Sequence, residues 1–364
     1  MKIYQVGGAV RDKYLAHPSK DKDWVVVGAT PEILLELGYT PVGRDFPVFL
    51  HPQTHEEYAL ARTERKTKPG YTGFTVYAAP DVTLEDDLQR RDLTINAMAL
   101  DSDGQLIDPF NGLADLRAGI LRHVSPAFVE DPVRILRVAR FAARFGFRVA
   151  EETLALMIEM VNNGEVDALV AERVWQETVR ALDARKPQIF FEVLRNCGAL
   201  ARIFPEIDRL FGVPQSGAYV MQCLQQARQM TSDSQVLFAV LTHSVEHLDA
   251  LCQRYRVPSQ HCDLAILVAR YHSHCYRELS PETLLNTLQS LDAFRRPQRF
   301  EQILLAAQAC NNQAYPQRFR RAFELACQVD VAAVLADGFQ GAAIGEELRR
   351  RRVEALRARY ALHS

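Results

Sequence analysis

The sequence lacks long apolar runs and an excess of charge of one sign. None of its apolar stretches approaches the roughly 20 residues that a membrane-spanning helix needs, and no secretory signal follows Met1. Its 43 basic and 45 acidic residues leave a formal net charge of −2, so any nucleic-acid surface must be a local basic face balanced by acids elsewhere. We therefore expect a cytoplasmic protein with no membrane contact. Separately, we expect it to act as a monomer or weak dimer.

Cysteine is absent before Cys197 and never occurs as CxxC. All seven cysteines lie between Cys197 and Cys327 with irregular spacing, which is typical of reduced thiols in the cytoplasm. The chain also has no internal repeat and no low-complexity tract, and its 364 residues suffice for two or three domains.

The periodicity of the apolar residues changes along the chain. Short apolar runs between turns predict strands at 3–6, 24–27, 48–50 and 58–60, and Thr30, Pro31 and Gly38 predict the start and end of a helix between them. Helical spacing follows at 132–146, from 151, at 172–184, 281–291, 299–310, 318–336 and 344–360. We predict an α/β head at 1–122, a helical neck at 123–200 and an all-α body and tail at 201–364.

Two aspartates precede the predicted strand 24–27. Asp21 and Asp23 flank Lys22, and in an extended chain residues i and i+2 point to the same face. Two neighbouring carboxylates repel each other unless a cation lies between them, and Mg²⁺ prefers carboxylate oxygens together with substrate phosphates. A lone DxD is more often a turn, but this pair also follows a glycine turn.

That turn is Gly7-Gly8, which comes directly after the first predicted strand. Glycines let the backbone approach a phosphate closely. Arg11-Asp12 is expected to open the next helix, where Arg11 can add a fork-shaped contact to the phosphates. A strand, Gly-Gly, a helix and then DxD on a strand form a far more specific pattern than either motif alone.

The segments 7–12 (GGAVRD) and 21–24 (DKDW) together resemble the signature of class II tRNA nucleotidyltransferases of the bacterial, gamma-proteobacterial CCA-adding type. The resemblance runs through about residue 210 and implies a polymerase-beta-like head. It further implies that Asp21 and Asp23 are catalytic and bind Mg²⁺, that CTP and ATP are the substrates, and that the partner is the 3′ end of tRNA, which the body and tail would bind.

The segment 90–97 (RRDLTINA) resembles the second motif of this family. By that resemblance Arg91 contacts the triphosphate, while Asp92 and Asn96 lie near the ribose, whose 2′-hydroxyl can both donate and accept hydrogen bonds. The alternative is a helix with an acidic first turn at 85–87 and a buried face of Leu93, Ile95 and Ala97. A hinge motif at 108–116 and a loop at 70–74 also have family counterparts.

Four arginines at 134, 137, 140 and 144 step by three, three and four, which places them on one face of a helix. A solvated stripe is the alternative, but Asp131 and its neighbour Glu130 are the only acids within four residues of any of them. This favours an anionic partner, so we predict that Arg137 and Arg140 hold phosphates.

Glu130 to Arg134 resembles the family's EDxxR motif, which implies that Asp131 and Arg134 select the base. Cytosine and adenine both present an amino donor beside a ring-nitrogen acceptor, which a carboxylate and a guanidinium can satisfy. Guanine and uracil present a carbonyl instead of the amino group and would leave buried groups unpaired. The motif at 171–177 also resembles one of the family, and we assign it to scaffolding.

The resemblance weakens in the body. Relatives carry a His-Asp phosphohydrolase motif, but Ser244 follows His243 here, so we expect that activity to be absent. Residues 243–247 match HxxEH, an inverted zinc-protease motif, and a zinc protease is a remote alternative. An enzyme adding CC or A alone, a poly(A) polymerase and an inactive RNA-binding module are also open at this point.

Overall fold

The computed structural model describes residues 1–18, 22–42, 48–66, 74–311 and 315–360. The chain divides into two compact units, Met1–Ile203 and Phe204–Ser364. All strands of the described ranges belong to the first unit, whereas the second is helical. The predicted α/β head followed by a helical remainder is therefore confirmed. Within the described ranges, no helix is long and apolar enough to cross a membrane.

The strands of the first unit form one large sheet and two small ones. They are β1 (Lys2–Val6), β2 (Asp23–Val27), β3 (Thr40–Val42), β4 (Val48–Leu50), β5 (Glu57–Leu60), β6 (Thr63–Lys66), β7 (Phe74–Tyr77), β8 (Ala99–Leu100), β9 (Leu106–Ile107), β10 (Ile120–Leu121) and β11 (Arg148–Val149). The large sheet has the order β3-β4-β5-β2-β1-β8-β9. The four predicted strands are all present, whereas β3 and β6 to β11 were not predicted.

Both faces of the large sheet are covered. Val25 packs with Val6 in one buried cluster, while its neighbour Val26 packs with Phe49 and Leu60 in another. Successive side chains of a strand point to opposite faces, so β2 contributes to two cores. In the pairing of β1 with β2, Val6 lies opposite Asp23, which brings the end of β1 beside the start of β2.

The first unit contains nine α-helices in its described ranges. They are α1 (Gly8–Tyr14), α2 (Pro31–Glu36), α3 (Leu84–Gln89), α4 (Gly112–Ala118), α5 (Val133–Phe145), α6 (Glu151–Asn162), α7 (Ala171–Leu182), α8 (Gln188–Asn196) and α9 (Ala199–Ile203). Helix α2 has Pro31 at its start as predicted, although the Thr30 side chain makes no capping bond. Helix α1 begins at Gly8, so Arg11 lies inside it and does not open it, because Gly7 already makes the turn.

Residues 93–97 are buried but do not continue helix α3. Thr83 and Asp86 form a reciprocal capping box at the start of α3, which ends before Arg90. A short 3₁₀ helix, Thr94–Asn96, follows. Leu93, Ile95 and Ala97 are inaccessible to solvent.

The second unit contains ten α-helices in its described ranges. They are α10 (Pro205–Asp208), α11 (Ser216–Met230), α12 (Ser234–Thr242), α13 (Leu248–Arg254), α14 (Ser259–Tyr271), α15 (Pro281–Ser290), α16 (Pro297–Cys310), α17 (Tyr315–Cys327), α18 (Val331–Ala336) and α19 (Ala342–Tyr360). The single helix predicted at 318–336 is wrong. Helix α17 ends at Cys327. Helix α18 then begins at Val331, where the Asp330 side chain accepts from the amide of Ala332.

The basic helix α19 carries its own counter-charges. Arg350 and Arg351 both donate to Glu347 one turn earlier, and Arg357 pairs with Glu282 of α15. Arg352 lies over the ring of Phe294, 4.1 Å from its centroid. Arg352 and Arg357 thus hold the helix onto its neighbours within the second unit, whereas Arg350 pairs within the helix.

Candidate active site

The turn after β1 requires glycine on two grounds. Gly7 adopts φ 70° and ψ −132°, a conformation that side chains with a Cβ strongly disfavour. A Cβ at Gly7 would also lie 3.0 Å from Nη1 of Arg91. The predicted glycine turn is thus a place where an arginine from a distant segment meets the backbone.

Asp23 lies beside this turn. A Cβ at Gly7 would be 3.9 Å from Oδ2 of Asp23, and the Asp23 side chain is exposed. An exposed carboxylate next to a bare backbone and an arginine suits a site that holds a cation and a phosphate together. Asp21 and the loop at 70–73 lie outside the described residues.

Arg91 is held from one side. Its Nη2 donates to Oδ2 of Asp87 across 3.0 Å, and its Nη1 is 3.5 Å from the backbone oxygen of Asn96. In the part of the chain that the structure describes, its buried Nε has no hydrogen-bond partner. Nη1, which lies against the Gly7 turn, has a second N–H that can donate to a ligand there.

Asp92 and Asn96, the predicted ribose residues, form the centre of a buried network. Oδ1 of Asp92 accepts from the amide of Leu93 and from Nδ2 of Asn96 at 2.9 and 3.0 Å. Oδ1 of Asn96 accepts from Nη1 of Arg11 at 2.5 Å. The two residues are each 6% exposed, and their hydrogen bond fixes the position of both side chains. Their contact with the ribose stays a prediction.

Burial by itself raises the pKa of Asp92, but Arg137 outweighs it. Together with the hydrogen bond from Asn96, the ion pair lowers the pKa of Asp92 to about 2. The Asp92 carboxylate is therefore ionised at neutral pH, and it partly neutralises the arginines around it.

Arg11 lies deeper than the sequence suggests. It is 3% exposed, its Nε donates to Asp12 across 2.8 Å, and it lies over the rings of Phe141 and Phe145 at about 5 Å. Burial lowers the pKa of Arg11 despite the neighbouring Asp12. The predicted phosphate contact of Arg11 stays a prediction.

The arginine face of α5 is neutralised, contrary to the reasoning from neighbours on the same helix. Arg137 donates to Asp92 at 2.7 Å, Arg140 to Glu177 at 2.5 Å and Arg144 to Asp12 at 3.2 Å. The counter-charges come from positions 37 to 132 residues away, which helical spacing cannot reveal. The absence of local acids is thus no evidence for an anionic ligand, and the phosphate contacts of Arg137 and Arg140 stay predictions.

The predicted base-selecting residues lie at the start of α5. Arg134 donates to the backbone oxygens of Ala127 and Arg90 at 2.8 and 2.6 Å. Asp131 accepts from the amide of Val133 through Oδ1 at 3.0 Å. Both side chains are only half-buried, and Arg134 joins the start of α5 to the segment that precedes Arg91. Base selection by the two residues stays a prediction.

Arg173 and Glu177, which belong to the motif assigned to scaffolding, contact this face directly. Arg173 reaches Oδ2 of Asp131 at 3.4 Å, and Glu177 pairs with Arg140. Their spacing of four on α7 places them on one face of that helix. The signal available in the sequence was this arginine and glutamate, four residues apart, whose charges are opposite to those of Asp131 and Arg140.

The zinc-protease interpretation of residues 243–247 is wrong. His243 follows the end of α12 and His247 precedes α13, so the two histidines do not share a helix as that motif requires. His243 is 4% exposed and its Nδ1 is 2.7 Å from the backbone oxygen of Val240. The expected loss of phosphohydrolase activity stays a prediction.

Two family models match the chain. Residues 3–122 match the "Poly A polymerase head domain", and residues 146–211 match the "Probable RNA and SrmB- binding site of polymerase A". The multifunctional CCA proteins of Thioalkalivibrio sulfidiphilus (strain HL-EbGR7) and Nitrosococcus oceani are each 56% identical to this chain, and the alignments cover 98% of it and 98% of each relative.

Solved structures show the same fold. An apo form of a CCA-adding enzyme has a TM-score of 0.71 at 23% identity, covering 99% of this chain and 91% of that one. The Bacillus stearothermophilus CCA-adding enzyme in complex with CTP has a TM-score of 0.68 at 23% identity, covering 96% and 87%.

The head fold, with the glycine turn, Asp23 and Arg91 at one place, defines an enzyme of the nucleotidyltransferase class. Within that class the chain belongs to the family of multifunctional CCA proteins, as its identity to two of them over nearly its whole length shows. The resemblance to class II tRNA nucleotidyltransferases is confirmed.

Proposed function

We propose that this protein adds C, C and A to the 3′ end of tRNA, taking the nucleotides from CTP and ATP without a nucleic-acid template. The observation that carries the proposal is the meeting of Gly7, Asp23 and Arg91 at the end of β1, in a chain 56% identical to multifunctional CCA proteins. In the reaction the terminal hydroxyl of tRNA attacks the α-phosphorus, a new phosphodiester bond forms, and pyrophosphate leaves.

Asp21 and Asp23 would hold Mg²⁺. The exposed Asp23 carboxylate beside the Gly7 turn fits such an ion, because Mg²⁺ takes few protein ligands and completes its shell with phosphates and water. When bound, the ion lowers the pKa of the attacking hydroxyl and neutralises the leaving pyrophosphate.

The triphosphate would lie against Gly7 and Gly8, where the backbone has no side chain in the way. Arg91 would donate to it from beside this turn, since its Nη1 lies 3.0 Å from where a Cβ of Gly7 would be. Arg11, Arg137 and Arg140 would contact the phosphates as well, and would then share their donors with Asp12, Asp92 and Glu177. Asp92 and Asn96 would orient the ribose.

Base selection would fall to Asp131 and Arg134. The carboxylate accepts from the amino group of cytosine or adenine, and the guanidinium donates to the ring nitrogen. Arg134 also holds the backbone oxygen of Arg90, so the base-selecting residue is joined to the segment of the triphosphate-binding residue. A base with a carbonyl at the amino position leaves acceptors unpaired and is rejected.

For the rest of the molecule we propose a head at 1–122, a neck at 123–200 and a body and tail at 201–364 that bind tRNA through its phosphates and shape. We further propose a cytoplasmic enzyme that works as a monomer or weak dimer.

The experiment is incorporation of each of the four labelled nucleotides into a tRNA transcript that lacks CCA. We expect CTP and ATP to be used, GTP and UTP to be rejected, and Asp23→Ala to abolish incorporation. The matched control is Asp103→Ala, which removes an exposed carboxylate of the same head and should leave incorporation unchanged. Incorporation that survives Asp23→Ala would refute the proposed metal site.

Repeated addition of A to any RNA end in this experiment would favour a poly(A) polymerase. Use of CTP alone or ATP alone would indicate an enzyme that adds CC or A.

A further inference from the structure

Helix α3 carries a buried carboxylate that belongs to none of the motifs above. Asp87 is inaccessible to solvent, and a carboxylate is rarely found in such a position without cationic partners. Burial by itself raises the pKa of Asp87, but Arg90 and Arg91 outweigh it and hold that pKa below its usual range. The group is therefore an anion inside the head.

Its two oxygens are divided between two consecutive arginines. Oδ1 accepts from Nε and Nη2 of Arg90 at 3.1 and 2.8 Å, and from the backbone amide of Arg62 at 3.3 Å. Oδ2 accepts from Nη2 of Arg91 at 3.0 Å. Oδ1 therefore fixes Arg90 and the backbone at Arg62, whereas Oδ2 accepts from Arg91.

The bond to Oδ2 determines which end of Arg91 faces the Gly7 turn. With Nη2 tied to Asp87, Nη1 points at the turn, 3.0 Å from where a Cβ of Gly7 would lie. The Arg91 side chain is 18% exposed, so most of it is buried. A guanidinium fixed at one nitrogen loses less entropy when it binds a phosphate than a mobile one does.

Arg90, the other partner of Asp87, is tied to the base-selecting residue. Its backbone oxygen accepts from Nη2 of Arg134 at 2.6 Å, and its Nε also donates to the backbone oxygen of Arg62. Asp87 thus fixes a short segment that is held between the end of β5 and the start of α5.

We propose that Asp87 is a positioning residue for the nucleotide triphosphate, acting through Arg91. This inference rests on the proposed function, in which Arg91 contacts the triphosphate. Asp87 itself touches no substrate. Its effect should therefore appear in the affinity for ligands that carry β- and γ-phosphates, and it should disappear when Arg91 is absent.

The test is the dissociation constant of CTP and of CMP for the full chain, measured by titration calorimetry for wild type, Asp87→Asn, Arg91→Ala and the double variant. Asparagine keeps the shape of aspartate but lacks its charge. We expect Asp87→Asn to weaken CTP about tenfold and to leave CMP within about twofold. In the Arg91→Ala background the same substitution should change CTP binding little, because coupled residues are not additive.

The matched control is Asp86→Asn on the same helix. The Asp86 carboxylate accepts from the amide and hydroxyl of Thr83 in the capping box instead of from Arg90 or Arg91. It should leave the ratio of CTP to CMP affinity unchanged. Equal weakening of CTP and CMP by Asp87→Asn, or an undiminished effect in the Arg91→Ala background, would overturn the proposal in favour of a general structural role.

Arg91→Lys keeps the inference testable if Asp87→Asn fails to fold. A lysine cannot contact Asp87 and a phosphate in the fixed geometry of a guanidinium, so CTP binding should weaken nearly as much as in Arg91→Ala. CTP binding of Arg91→Lys at the wild-type level would overturn the proposal. The proposed function itself fails separately, if wild type neither binds CTP nor incorporates it.

Discussion

Arg137 donates from its Nε to Oδ2 of Asp92 across 2.7 Å, although the two residues lie 45 positions apart. The bond joins the segment predicted to hold the sugar to the helix predicted to select the base. Asp92 is almost fully buried, and Arg137 is about one-third exposed. A single ion pair therefore helps to hold two parts of the candidate site at a fixed spacing.

Asp92→Asn should destabilise the protein. The substitution leaves Arg137 facing an amide and Asn96 facing a changed partner, and loss of one member of a largely buried pair costs about 2 kcal/mol once the partial exposure of Arg137 is allowed for. Urea unfolding at neutral pH measures this. Asp103→Asn, at an exposed position, is the control and should unfold as wild type does. Equal midpoints for all three proteins would contradict the role of this pair in stability.

The same pair predicts the acid dependence of stability. The pKa of Asp92 is about 2 in the folded protein, below the value of roughly 4 that an aspartate has in an unfolded chain. The stabilisation is therefore fully present above the unfolded pKa and decreases as the pH falls towards the folded one. The free-energy difference between wild type and Asp92→Asn should thus shrink across this window. A difference that stays constant down to the lowest pH at which both proteins fold would show that the carboxylate charge is not its source.

Glu177→Gln should be a further destabilising change. Glu177 is 5% exposed and pairs with Arg140, whose guanidinium lies 4.3 Å from the ring centroid of Phe141. Leaving that buried cation without its counter-charge costs about 3 kcal/mol. The control is Arg180→Ala, which removes the exposed second partner of Glu177 and should cost less than about 1 kcal/mol. Thermal unfolding of both variants measures these losses of stability. A larger loss of stability in Arg180→Ala than in Glu177→Gln would contradict the stabilising role of the pair between Glu177 and Arg140.

These pairs show what the sequence could and could not predict. The strand at 24–27, the glycine turn and the helix ended by Gly146 follow from local rules, because each depends on neighbours in the chain. The partners of Arg137, Arg140 and Arg144 come from distant segments, so spacing along one helix could not identify them. The break in helix 318–336, by contrast, has a local signal that the prediction missed, because Asp330 accepts from the amide of Ala332 two residues further on and starts a new helix.

The candidate site follows the same division. Gly7 was predicted from its motif, but its proximity to Arg91 requires the fold. The motif at 171–177, which contains Arg173, was assigned to scaffolding by resemblance, and the contact of Arg173 with Asp131 requires the fold.

Arg173→Ala should weaken base selection. Arg173 pairs with Oδ2 of Asp131. Without Arg173 the Asp131 carboxylate can rotate away from the orientation in which it would accept from the amino group of a base. We expect the ratio of kcat/KM for CTP over UTP to fall about tenfold, and to fall further in Arg134→Ala. Arg180→Ala on the same helix is the control. An unchanged ratio in Arg173→Ala, measured with Arg134→Ala showing the loss, would contradict a role of Arg173 at the base.

The most direct test of CCA addition is the order of incorporation on three tRNA transcripts, ending before, within and after CC. We predict two additions from CTP on the first, one on the second and none on the third, followed in each case by one addition from ATP, all abolished by Asp23→Ala. Addition of a single nucleotide type, continued addition of A, or full activity of Asp23→Ala would contradict the proposed function.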